Sequence, residues 1–83
     1  MNKLKDYRKK IDLIDKKIVK LLVMRLKLIK KVGAHKKKNK IEMTDKKREM
    51  QVLNNIKKLG RLHQKFVVNI FKNIISYSKK IQK

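Results

Sequence analysis

Nothing in the first forty residues forces this chain to bend. The 83-residue sequence contains no proline, and its two glycines, Gly33 and Gly60, stand alone. A lone glycine in a helical pattern weakens the helix by about 1 kcal/mol relative to alanine without ending it. Residues 4 to 38 are therefore expected to form one long helix. Their apolar positions keep a seven-residue spacing, with Leu4, Ile11, Ile18 and Val32 in one row and Tyr7, Ile14, Leu21 and Leu28 in a second. Arg25 fills the fourth slot of the first row, a charge in an otherwise apolar seam.

Asn39 to Thr44 reads as a loop, and Asp45 suits the N-cap of a second helix running to about Leu59. Val52, Leu53, Ile56 and Leu59 form the expected buried side of that helix, and Gly60 its C-terminal stop. A third helix is expected from about Gln64 to the end, with Val67, Ile70, Phe71, Ile74 and Ile75 as its stripe. Ser78 and Gln82 continue the same face in polar form. No strand pattern or repeat appears, so the fold class is all-α, with one long and two shorter helices in a single domain, 1–83.

So short a chain buries only about 60 to 65% of its unfolded surface. With no cysteine there is no disulfide, and two separated histidines, His35 and His63, do not make a metal site. Oligomerisation is the remaining way to stabilise it. The N-terminal residues lack the apolar core of a secretory signal, and the longest apolar run is Leu21 to Met24, which points to the cytoplasm and away from a membrane. The net charge of +21 comes mostly from lysine in a chain otherwise rich in Asn and Ile, as AT-rich codons would give. It is weak evidence for nucleic-acid binding.

The arginines are more informative, because only four of the 27 basic residues are arginine. Arginine grips a carboxylate or phosphate with a planar fork of donors, which lysine cannot do. Arg8 and Arg25, seventeen residues apart, lie about 100° apart around a straight helix and about 26 Å apart along its axis. They cannot hold one small ligand from a single helix. Lys36 lies about 16 Å beyond Arg25 and only about 20° off its face, close enough for both side chains to share a ligand. If two long helices pack antiparallel, Arg8 of one chain comes to Arg25 and Lys36 of the other, and an intertwined homodimer carries the site twice.

Asp45 and Glu49, with Arg48 beside them, project from one face of the second helix, and Ser78 and Gln82 from one face of the third. The resulting cluster has no Ser-His-Asp set, no metal ligands and no phosphate loop. Chemistry that relies on orientation and electrostatics fits it.

The segments Arg8-Lys9-Lys10-Ile11-Asp12-Leu13-Ile14-Asp15, Leu21-Leu22 with Arg25, Val32-Gly33 with Lys36, Asp45 with Arg48-Glu49, and Phe71, Ile74-Ile75, Ser78 and Gln82 carry a resemblance in their order and spacing. Over essentially its whole length the chain resembles the all-helical, AroQ-type chorismate mutases. The resemblance implies rearrangement of chorismate to prephenate, a step of the shikimate route to phenylalanine and tyrosine, with no cofactor. It implies that Arg25 and the partner's Arg8 grip the substrate carboxylates, assisted by Arg48 and Ser78. Lys36 and Gln82 then donate to the ether oxygen, and Glu49, helped by the backbone around Asp45, fixes the ring hydroxyl. The connection Gly60 to Gln64 is a few residues shorter than the family pattern, and the lysine content is higher. Two other readings remain at this stage: an isochorismate-pyruvate lyase of the same fold, and a basic helical protein that binds nucleic acid or an anionic membrane.

Overall fold

The computed structural model describes residues 2–82, which form α1 (Lys3–Lys38), α2 (Lys46–Gly60), a 3₁₀ turn (Arg61–His63) and α3 (Gln64–Gln82). The described residues are all-α and contain no strand. The ends of the expected domain and of the third helix, Met1 and Lys83, lie outside the described residues.

The side chain of Asn2 starts α1 by accepting the Lys5 N–H at 3.2 Å. Three lysines and His35 crowd its last turn, where the helix dipole favours cations. The chain leaves α1 through a Schellman turn: Lys40 takes φ 54°, its N–H bonds the Lys37 carbonyl at 3.3 Å, and the Ile41 N–H bonds the Lys36 carbonyl at 2.8 Å. Asp45 then caps α2, its Oδ1 accepting the Arg48 N–H at 2.9 Å.

The passage from α2 to α3 departs from the sequence expectation. Gly60 is not a left-handed stop; it is right-handed helical, at φ −71° and ψ −18°, and ends α2 itself. The positive φ falls one residue later, on Arg61, at φ 50° and ψ −116°. The 3₁₀ turn carries the chain straight into α3, which is how so short a connection reverses the helix direction. Gly60 is needed for a different reason: a Cβ there would collide with a methyl of Val67 on the returning helix. Leu59, expected on the buried side of α2, is 77% exposed, because the reversal leaves nothing opposite it.

α3 packs along α2, and α1 packs on α3 alone. The face of α1 that meets α3 carries Leu22, Arg25, Leu26, Ile29, Gly33 and Lys36, which are buried or half-buried. The apolar residues of the seven-residue rows from Leu4 and Tyr7 are all exposed. A strict seven-residue repeat drifts about 20° per repeat on a straight helix. By Arg25 the first row has therefore rotated towards α3, which takes Arg25 out of the apolar seam.

The N-terminal half of α1 projects beyond the other helices. The radius of gyration is 16.4 Å, against about 12 Å for a compact chain of this length. The accessible surface is 7824 Å², against about 5,200 Å² for a compact monomer of this mass. Ile75 is the buried hydrophobic residue of the described chain.

The backbone of Arg61 sits where a side chain is disfavoured and glycine is at ease. Arg61→Gly is expected to raise stability by about 1 kcal/mol, or several degrees in thermal midpoint. An unchanged or lowered midpoint would contradict that backbone assignment.

Candidate active site

The C-terminal half of α1, the loop after it, the first turns of α2 and the last turns of α3 line one cavity of about 200 Å³. Seven of the residues singled out from the sequence share its wall: Arg25, Lys36, Asp45, Arg48, Glu49, Ser78 and Gln82. Arg8 does not. It lies in a separate shallow groove near the start of α1, beside Leu4, Lys5 and Asp12.

Arg25 is held from α3. Its Nη1 donates to Ser78 Oγ at 2.8 Å, and that hydroxyl donates to the Ile74 carbonyl at 2.7 Å. Ser78, 3% exposed, has thus committed its proton and serves to orient the guanidinium. A guanidinium has five N–H donors, so most of this one remains free for a ligand. Burial, and then the neighbouring Arg48 charge, pull Arg25 below the ordinary guanidinium pKa.

Lys36 is anchored twice. Its ammonium donates to the Met43 carbonyl at 2.8 Å and to Gln82 Oε1 at 3.1 Å. Three protons and two partners leave one donor for the cavity. The amide oxygen of Gln82 is occupied, so its NH₂ group is the part left to act.

Glu49 lies against Lys79, whose Nζ is 3.3 Å from Oε1 and 3.2 Å from Oε2. The second contact is an ion pair without hydrogen-bond geometry. The buried Oε2 is therefore left without a donor among the described residues. A buried carboxylate oxygen in that state is ready to accept a hydroxyl.

The wall holds four cations, Arg25, Lys36, Arg48 and Lys79, against two carboxylates, Asp45 and Glu49. Among the described residues no carboxylate pairs with Arg25, Lys36 or Arg48. A cavity with that balance favours a small dianion. Among the described residues no group of three His, Cys, Asp or Glu could hold a metal ion, and no helix is long and apolar enough to cross a membrane.

Two wall components were not identified from the sequence. Lys79 is one lysine in a lysine-rich chain, and no spacing marks it. The Met43 carbonyl is a backbone group placed by the turn after α1, and side-chain patterns carry no signal for it.

An all-helical fold with a cation-rich cavity defines a class of protein suited to binding and orienting a small polyanion. The comparisons with known proteins are specific. The chorismate mutase type II family matches residues 7–83. A chorismate mutase of Methanocaldococcus jannaschii is 37% identical over the whole chain, which spans 87% of that protein. Bifunctional chorismate mutase/prephenate dehydratases of Aquifex aeolicus and Buchnera aphidicola are each 35% identical, and the chain spans 25% and 22% of their lengths. No solved structure matches significantly. The chain belongs to the chorismate mutase type II family.

Arg48 stands in the first turn of α2, where the helix dipole disfavours a cation, and it also repels Arg25. A residue held against local electrostatics points to use by a ligand. Arg48→Gln is therefore expected to stabilise the ligand-free protein by about 0.5 kcal/mol, seen as a rise in thermal midpoint. A clear fall would mean that Arg48 has a stabilising partner in the ligand-free protein.

Proposed function

We propose that the chain is a chorismate mutase acting as a dimer, converting chorismate to prephenate by breaking an ether C–O bond while a C–C bond forms within the same molecule. The observation that carries this reading is the cavity wall itself. It brings Arg25, Lys36, Asp45, Arg48, Glu49, Ser78 and Gln82 together and, among the described residues, leaves its guanidiniums without carboxylate partners.

The roles follow from the free valences. Arg25, oriented by Ser78, grips a substrate carboxylate with its remaining donors, and Arg48 adds charge beside it. The last Lys36 proton and the Gln82 amide donate to the ether oxygen as negative charge grows there. Donors already fixed by Met43 and by each other need no reorganisation in the transition state. The orphan oxygen of Glu49 accepts the ring hydroxyl. Asp45 fixes the start of α2 and hence the positions of Arg48 and Glu49. The remaining contribution is to hold a flexible substrate in its compact reactive shape.

Arg8 enters from a partner chain. The exposed apolar rows of α1 and the surplus surface of the protomer support an antiparallel pairing of two long helices, which would carry each Arg8 to the other chain's cavity. The surplus, roughly 2,600 Å² per chain, is in the range of obligate dimer interfaces.

Incubation of the protein with chorismate tests the function directly, and prephenate is the expected product. Pyruvate release from isochorismate without prephenate formation would favour the lyase reading, and no product from either would refute both. The Gln82 role has its own test. In Gln82→Glu only the protonated carboxyl can donate, and Lys36 beside it favours the ionised form. Activity should then be confined to acid, rising as pH falls below about 4. A pH profile like that of the parent would contradict donation by Gln82.

A further inference from the structure

Gly33 is the buried residue of α1, and it stands one turn before Lys36. Glycine is a poor choice inside a long helix, and propensity alone would favour alanine. Contact geometry explains its presence. A Cβ at this position would lie 2.8 Å from the Gln82 carbonyl oxygen, 3.0 Å from Gln82 Cα and 3.2 Å from Gln82 Cβ. All three nearest atoms belong to one residue, and two of them are backbone. Rotating a side chain cannot relieve the contact; the last turn of α3, beyond Ser78, would have to move away from α1.

The residue that would move carries the amide held by Lys36 at 3.1 Å. Gln82 is 9% exposed, so its position is set by this close approach of two backbones rather than by solvent. Relying on the proposed mutase reading, we infer that Gly33 is a positioning residue for the reaction: its missing side chain lets the last turn of α3 seat Gln82 against Lys36. A methyl group at Gly33 displaces Gln82 and opens that hydrogen bond, leaving the guanidiniums of Arg25 and Arg48 where they are. The effect therefore falls on the transition state more than on substrate binding.

Steady-state kinetics on the parent, Gly33→Ala, Gln82→Ala and the double variant test this, with solution mass and circular dichroism confirming folding. Gly33→Ala is expected to lower kcat roughly ten- to a hundredfold, since a misplacement of about 1 Å costs up to that much, with KM changed far less. In the Gln82→Ala background the same substitution should have no further effect. A parental kcat in Gly33→Ala, or an equal loss in both backgrounds, would overturn the inference. If the parent does not turn over chorismate, the functional reading fails, and the side-chain amide resonances of Gln82 decide the Gly33 role. They must shift in Gly33→Ala, and unshifted resonances would overturn it. Should Gly33→Ala not fold, ending the chain at Ile81 removes the opposing backbone and must restore folding; a shortened variant that stays unfolded also overturns it.

Discussion

α1 is longer than the rest of its protomer can cover, and the other features of the molecule depend on that mismatch. A helix of 36 residues spans about 54 Å, whereas α3 offers only 19 residues for it to pack on. The half of α1 beyond Leu22 docks on α3 and contributes Arg25 and Lys36 to the cavity. The other half carries exposed Leu4, Tyr7, Ile11, Ile14 and Ile18, and Arg8 among them. One continuous helix thus gives each chain one side of the cavity wall and a projecting arm, which the proposed dimer would use to reach the cavity of a second chain.

The cavity is under electrostatic tension. Arg25 loses hydration and faces Arg48, and neither has a carboxylate partner among the described residues. What holds the cations in place is neutral: a serine hydroxyl, a backbone carbonyl and an amide oxygen. Such partners fix geometry without cancelling charge, so the positive potential remains for a dianion to neutralise. The one ion pair of the described residues, Lys79 with Glu49, is placed where an acid would otherwise offset that potential.

Much of the fold was legible in the sequence because its signals are local. The absence of proline, the apolar periodicity and the capping aspartate are each read over a few residues, and helix boundaries follow from them. The joint spacing of the candidate residues anticipated that seven of them share one cavity wall. The relations that were not legible are those between helices. Gly33 read as a minor helix defect, although its missing side chain lets the end of α3 come close to α1. Gly60 read as a stop, although Arg61 makes the turn and Gly60 makes room for Val67. Leu59 followed the apolar stripe yet faces solvent, because the reversal of direction comes immediately after it.

The central claim is that each site is completed by the partner's Arg8, and a mixing experiment addresses it most directly. Arg8→Ala and Arg25→Ala chains are each expected to be inactive alone. In a heterodimer one site pairs an intact Arg25 with an intact Arg8, and the other lacks both. After random exchange of equal amounts the mixture should regain about a quarter of the parental activity. A mixture that stays inactive, with heterodimers demonstrated by mass, would contradict a site shared between chains.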